Sequence, residues 1–366
     1  MKRLFEATKI NQMELKNRFV RSATWEGLAD PDGSCNSQIT DLMVELAKGQ
    51  VGLIISSHAY VNPSGQAGIR QLGIDNDTLI DSYKEMVEKI HCEGSKVIMQ
   101  ISHAGCRAPI QFTRNRSCGP SSLQVEGLNC TEFSLEEIAK ITGNFKNAAV
   151  RAKKAGFDGV QIHAAHGYLL SQFLSPVFNK RIDLYGGHIK NRTRLILDII
   201  KAIRNELGQQ FAVLVKINSE DYTEGGLQIS DMLKIAAMLE TAGIDAIELS
   251  GSLSLERSQY KSVRKGRILS AKEEAYYREA ARLFKEKIMT PLILVGGIRS
   301  YKIAKELVEK EQVDYISLSR PLIREPLLVK NWELTRTGKT KCVSCNQCLV
   351  MAKEGKGMYC IFENKK

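Results

Sequence analysis

His163, His166 and Tyr168 lie within six residues of one another, directly behind an apolar run, GVQI. Three chemistries are open to them. An HxxH pair can begin a metal site, although no Glu or third His nearby completes the HExxH pattern of zinc hydrolases. The imidazoles can instead be buried and structurally satisfied. Or both can donate hydrogen bonds to one oxygen while the phenol supplies a proton. Spacing alone leaves all three open.

Two other groups of residues could do chemistry. The segments VGGIRS and SLSRPLIREP bring together Gly296, Gly297, Arg299, Ser317, Ser319 and Arg320. Glycines allow close backbone approach and guanidinium groups offer forked donors, a combination suited to phosphate. A plain tight turn is the alternative. The second group is the cysteine-rich end of the chain. Of nine cysteines, Cys35, Cys92, Cys106, Cys118 and Cys130 are scattered, while Cys342, Cys345, Cys348 and Cys360 crowd into the last 25 residues. Three thiols spaced C-x2-C-x2-C with a remote fourth suit a 4Fe-4S cluster. Zinc is an alternative, although four-cysteine zinc sites more often show two CxxC pairs. No metal at all is the third.

These residues need elements to position them. Short apolar, β-branched runs occur at 18–24, 51–61, 96–102, 159–164, 211–218, 246–251, 292–298 and 315–321. Most lack strict alternation, as expected of parallel strands covered on both faces. Amphipathic helical patterns fall between them. One opens on a capping box, Ser134-Leu-Glu-Glu137, and continues with Ile138, Ile141, Phe145, Ala148, Ala149 and Ala152 on one stripe. Three helix-to-strand junctions, AGFDGVQIH, AGIDAIELS and EQVDYISLS, repeat a turn, an Asp and an apolar strand. Eight βα units predict an α/β fold, a (β/α)8 TIM barrel over residues 1–338, with a short cysteine-rich C-terminal extension over 339–366. In such a barrel the C-terminal strand ends form the catalytic rim, and the loops after strands 7 and 8 bind phosphate. His163, His166 and Tyr168 fall at the end of strand 4. No GxGxxG follows any strand, which argues against a Rossmann dinucleotide domain.

Bulk composition narrows the class. With 366 residues, 43% hydrophobic and 25% charged, the chain reads as globular. No apolar run approaches the ~20 residues of a membrane helix. The N-terminus has no signal-peptide core, so the expectation is a cytoplasmic protein. The net charge of +11 comes from 52 Lys+Arg against 41 Asp+Glu, interleaved on helix faces without a basic run carrying regular aromatics. That reads as a solvated surface and predicts no nucleic-acid and no membrane partner. Oligomeric state is not readable.

The run HAAHGYLLSQFLSPVFNKRIDLYGGHIKNRTR resembles the old yellow enzyme family, FMN-dependent ene reductases built on a (β/α)8 barrel. The resemblance extends through LKNRFVRSATWEG, VNPSGQAGIRQLGI, MQISHAG, VGGIRS and SLSRPLIREP, covering residues 1–335. It implies that His163 and His166 bind the activating oxygen of an α,β-unsaturated carbonyl or enoyl substrate. Tyr168 would protonate Cα after hydride passes from NAD(P)H through FMN to Cβ. It further implies that Ser22, Ala23, Thr24 and His58 contact the isoalloxazine, with His58 following strand 2. Gln100 would read the pyrimidine edge, Lys216 would stand near N1 and O2, and Gly296, Gly297, Ser319 and Arg320 would hold the phosphate. Two departures bear on the flavin's potential. Lys216 stands where an Arg is common, and Trp25 where a small Thr or Cys is common.

The tail resembles that of the larger 2,4-dienoyl-CoA reductases, CxxCNQxC with the same eleven-residue gap, but is one residue shorter between the second and third cysteines. Those relatives carry an iron–sulfur cluster and a further FAD/NAD domain that this sequence does not contain. The alternative function is therefore a 2-enoate or 2,4-dienoyl-CoA reductase-like flavoenzyme using an external electron-transfer partner. More distant alternatives are an RNA-acting FMN barrel and a non-catalytic electron carrier.

Overall fold

The computed structural model describes residues 2–113 and 116–363. Eight strands close a parallel barrel: β1 (Phe19–Arg21), β2 (Leu53–Tyr60), β3 (Lys96–Ser102), β4 (Gly159–Ala164), β5 (Ala212–Asn218), β6 (Ala246–Ser250), β7 (Leu292–Val295) and β8 (Tyr315–Leu318). The closing seam pairs β8 with β1, Ile316 opposite Phe19 and Leu318 opposite Arg21. Every residue of β2, β4 and β5 is buried, which is why those runs read apolar without alternation. Each strand is followed by a helix: α1 (Ser37–Lys48), α2 (Ile80–Cys92), α3 (Leu135–Lys154), α4 (Ile189–Leu207), α5 (Ile229–Thr241), α6 (Arg278–Lys285), α7 (Tyr301–Glu309) and α8 (Leu328–Thr335). This is the predicted (β/α)8 barrel. The Ser134–Glu137 capping box forms, and all six stripe residues of α3 are buried.

The repeated junction Asp has a structural role. Asp158, Asp245 and Asp314 each accept an amide near the start of a neighbouring strand, from Val97 at 2.9 Å, Val213 at 2.7 Å and Leu292 at 2.8 Å. Their own amides return bonds to the carbonyls of the same three residues. The device locks the N-terminal end of one strand to the next, at the face opposite the rim.

Three runs end as strands well before their apolar patterns do, the others within one residue. β1, β7 and β8 stop at Arg21, Val295 and Leu318, and the remainder of each run forms rim loops. Gly296 and Gly297 take φ of 127° and 72°, a conformation that a side chain disfavours and that turns the chain after β7. His58 corrects an expectation in the other direction. It lies inside β2, at a register shift between Ile55 and His58, and not after the strand. Helix α6 covers only part of the amphipathic run EEAYYREAARLFKEK that precedes β7. Ala275 is left-handed (φ 53°), and Glu274 turns its carboxylate to the amides of Arg299 and Ser300, so helix begins only at Arg278.

Between β3 and α3 a small three-stranded sheet occupies 118–132. Cys106 and Cys130, two of the scattered cysteines, join it to the loop after β3 as a disulfide, a pairing the sequence reading does not anticipate. The C-terminal segment packs on the rim. The Met358 amide donates to Glu26 O at 2.8 Å, the Thr340 amide to Arg299 O at 2.8 Å, and Arg299 Nη2 to Ser344 Oγ at 2.8 Å. Among the described residues, no helix is long and apolar enough to cross a membrane.

Candidate active site

The end of β4 turns sharply. His166 and Gly167 both take positive φ, 62° and 74°, and Tyr168 then opens a short helix, Leu169–Leu174. The turn is pinned from outside. Gly167 O accepts from Arg107 Nε at 3.1 Å and Gln172 Nε2 at 2.7 Å, and the His166 amide donates to Asn218 Oδ1 at 3.1 Å. The result gathers the three residues. The His163 ring lies 5.2 Å from that of His166 and 5.0 Å from that of Tyr168, both edge-on. His58 stands 6.3 Å from His163 and 5.6 Å from Tyr168.

Burial sets the charge of this group. It pushes His163 and His166 well below the ordinary imidazole range, reinforced by Lys216 and His58 for both, by His166 for His163 and by Arg107 for His166. It lowers His58 to about 4. It raises the Tyr168 phenol, with Arg107 opposing. At neutral pH the site therefore holds neutral imidazoles and a protonated phenol. His163 Nδ1 is buried without a hydrogen-bond partner among the described residues, an orphan that a ligand would satisfy. His166 Nε2 pairs with Ser250 Oγ at 2.7 Å. A hydroxyl donating there leaves the proton on Nδ1. Gln71 Nε2 approaches His58 Nδ1 at 2.6 Å, so His58 carries its proton on Nε2.

These residues edge a cavity of about 390 Å³ above the barrel, within the range of small-molecule sites. It is lined by Ser22, Ala23, Thr24, His58, Gln100, His163, His166, Tyr168, Lys216, Gly296, Gly297, Ser319 and Arg320, so every residue expected at the active site lies on one wall or another. Arg107, Lys216, Arg299, Arg320 and Lys353 line it too, with no Asp or Glu among the described lining residues. Such a wall favours a ligand with a phosphate. Thr24 Oγ1 and Ser319 Oγ meet at 2.9 Å, joining the β1 and β8 loops beside Arg320. Arg320 Nη1 is engaged by Arg264 O at 2.7 Å and Asn346 Oδ1 at 2.6 Å, which orients its fork through the tail. Volume and cation lining fit FMN.

The four tail cysteines line a second, small cavity of about 20 Å³, and Arg320, Ile323 and Cys348 line both cavities. The donor set is thus gathered beside the first cavity. However, no group of three or more His, Cys, Asp or Glu among the described residues converges closely enough to hold a metal ion. The thiols therefore do not close on a single zinc ion in this arrangement. A four-iron cluster is a larger body whose thiolates stand further apart.

A parallel barrel with paired neutral imidazoles, a protonated phenol and a cation-lined cavity at its rim defines a flavin-type oxidoreductase barrel. Comparison with known proteins makes the assignment specific. Residues 3–337 match the model of the NADH:flavin oxidoreductase / NADH oxidase family. The chain belongs to that family, the old yellow enzyme type. It is 33% identical over 348 residues to an NADH oxidase of Thermoanaerobacter brockii, covering 94% of this chain and 52% of that protein. It is 34% identical over 329 residues to an NADPH dehydrogenase of Halalkalibacterium halodurans, covering 88% and 92%. Among solved structures, a 2-naphthoyl-CoA reductase in complex with 2-naphthoyl-CoA aligns with a TM-score of 0.90 at 26% identity, over 99% of this chain and 57% of that one. Morphinone reductase (TM-score 0.76, 23% identity, 91% of each chain) shares the fold. The chain thus spans about half of the NADH oxidase and of the naphthoyl-CoA reductase, but nearly all of the NADPH dehydrogenase.

Several residues are invisible to motif reading: Arg107 and Ser250, which line the cavity, and Gln161, Asn218 and Glu248, which bond to its lining residues Gln100, His166 and Ser22. One signal was available for Glu248. It is a carboxylate in the middle of an otherwise apolar strand, AIELS, where only a partner could hold it.

Proposed function

We propose that the chain is an NAD(P)H-dependent ene reductase acting on the activated C=C bond of an α,β-unsaturated carbonyl compound. The carrying observation is the convergence of His163, His166 and Tyr168 on one side of a cation-lined cavity. In this reading Ser22, Ala23, Thr24, His58, Gln100 and Lys216 hold the flavin ring, and Gly296, Gly297, Ser319 and Arg320 its phosphate. FMN, when bound, relays hydride from NAD(P)H. The protein's share is polarisation and proton delivery. His163 and His166, neutral, donate to the substrate's activating oxygen and stabilise the negative charge that grows there. Tyr168, kept protonated by burial, gives its proton to Cα. Arg107 holds the turn that aims both.

The tail supports a second reading, a 2-enoate or 2,4-dienoyl-CoA reductase-like enzyme. There Cys342, Cys345, Cys348 and Cys360 hold a 4Fe-4S cluster, and an external partner exchanges electrons with it. The shared wall at Arg320, Ile323 and Cys348 favours it, because a cluster held by these cysteines would lie beside the larger cavity.

FMN-loaded protein tested anaerobically with NADH and NADPH against cyclohexenone, an enoate and an enoyl thioester separates the readings. Turnover of the enone supports the first, and turnover of the thioester alone the second. In either, Tyr168→Phe is expected to slow oxidation of the reduced protein by substrate ~10²–10⁴-fold and to spare its reduction by nicotinamide. No turnover of any class, or an unchanged Tyr168→Phe oxidative step, overturns the assigned chemistry.

A further inference from the structure

Glu248 lies on β6, fully buried, and is not among the residues lining the cavity. Its carboxylate collects four donors. Oε1 accepts from Ser22 Oγ and Ser317 Oγ, each at 2.8 Å. Oε2 accepts from Gln161 Nε2 at 2.9 Å and lies 3.3 Å from Lys216 Nζ. Lys216 Nζ also donates to Ser22 Oγ at 2.7 Å, and Gln100 Nε2 donates to Gln161 Oε1 at 2.7 Å. The strands place these groups side by side, Lys216 opposite Glu248 and Gln100 opposite Gln161. Ser22, Gln100, Lys216 and Ser317 line the cavity. One acid therefore stands behind four cavity-lining residues drawn from four strands or their ends.

The directions of these bonds matter. A carboxylate only accepts, so Gln161 must turn its amide nitrogen to Glu248 and its oxygen to Gln100. Gln100 must then answer with its nitrogen, which leaves its carbonyl oxygen as the end to accept a bond from a ligand. Glu248 thus sets the amide orientation of Gln100 across an intervening residue. It also places the Lys216 ammonium and faces it with an opposite charge in a dry setting, where such effects are least screened. A lysine, unlike an arginine, has no planar fork to fix its own geometry. The carboxylate supplies what the Lys216 side chain lacks.

We propose that Glu248 is the positioning residue for the flavin's pyrimidine edge, and that its charge holds the bound flavin's reduction potential down. The inference rests on the reading of the cavity as an FMN site. Lys216 alone would favour the reduced, negatively charged ring, and Glu248 opposes it by roughly balancing the lysine. The consequence is a stronger reductant, suited to substrates harder to reduce than simple enones.

The test uses the FMN-loaded full chain and reads the flavin's midpoint potential and its dissociation constant, not turnover. Glu248→Gln is expected to bind reduced FMN, relative to oxidised FMN, about tenfold more tightly than wild type does, a rise of about 30 mV for a two-electron couple. Lys216→Met is expected to shift the potential the opposite way. Gln161→Leu, which keeps the charge and cuts the link to Gln100, is expected to weaken oxidised FMN binding severalfold with little change in potential. It carries the positioning half of the test even if Glu248→Gln does not fold. An unchanged potential in Glu248→Gln, or unchanged FMN affinity in Gln161→Leu, overturns the inference while leaving the flavin site intact. Wild-type protein that takes up no FMN removes the flavin reading itself.

Discussion

Neutral imidazoles are what a site needs if it is to donate hydrogen bonds to an oxygen without placing full positive charges beside Tyr168, which would favour early loss of its proton. Burial secures this. His58 is lowered to about 4, and His163 and His166 go well below the imidazole norm. An unfolded imidazole titrates near 6.5. Between that value and the folded one, the unfolded chain takes up a proton that the folded chain refuses. The stabilisation is therefore complete above about pH 6.5 and is lost as pH falls toward 4. In histidine-labelled protein, the NMR signals of His58, His163 and His166 should keep neutral-tautomer shifts down to pH 5. A site imidazole titrating near 6.5 would sink the neutral-donor mechanism. The legible residues were those close in sequence, His163, His166 and Tyr168. Glu248, Gln161 and Ser250 were not, because each acquires its partner only when the barrel closes.

At the scale of elements, the sequence was most legible where a local pattern met a burial requirement. All eight strands and the α3 stripe follow from that. It was least legible at the rim, where the apolar runs of β7 and β8 continue past the last ladder bond, and where left-handed Ala275 and the engaged Glu274 delay α6. The junction Asp is an intermediate case. Its recurrence was visible, but not its acceptor role, since the amide it takes belongs to another strand. Asp314 illustrates the energetics. Burial raises its carboxyl, but the Leu292 amide, Lys2 and Lys285 outweigh this and leave it lowered. The stabilisation it gives is present above the unfolded carboxyl range, about pH 4, and is lost as pH falls through the lower folded value. Asp314→Ala leaves a strand amide and two cations without their acceptor, and should cost roughly 2–3 kcal/mol in urea unfolding at pH 7. The difference from wild type should shrink on acidification below pH 4. A loss under about 0.5 kcal/mol, as for an ordinary surface change, would mean that the device only decorates the barrel floor.

For the molecule as a whole, the open matter is how the tail and the barrel work together. The tail is tied to the barrel through Met358 to Glu26, Arg299 to Ser344 and Arg320 to Asn346, and Cys348, Leu349, Lys353 and Met358 form part of the flavin cavity's wall. A change in the tail must therefore be felt at the Arg299 and Arg320 end of that cavity. Burial raises the Cys348 thiol to about 11, with neighbouring Cys342 and Cys345 adding to the rise and Arg320 opposing it. A cation or cluster is the natural way to hold such a set as thiolates. Anaerobic preparation from iron-replete cells should yield about four iron and four sulfide per chain, as a 4Fe-4S centre requires. Cys345→Ser, at a residue that does not itself line the flavin cavity, should abolish the iron and its broad visible absorbance while FMN remains bound. It should also loosen Arg320, which Asn346 orients, and so weaken FMN severalfold without displacing it. Stoichiometric zinc, or metal-free protein from the same preparation with unaltered FMN affinity in Cys345→Ser, would refute the cluster. The four thiols would then be a structural clasp over the barrel mouth, and the ene-reductase chemistry at His163, His166 and Tyr168 would stand without it.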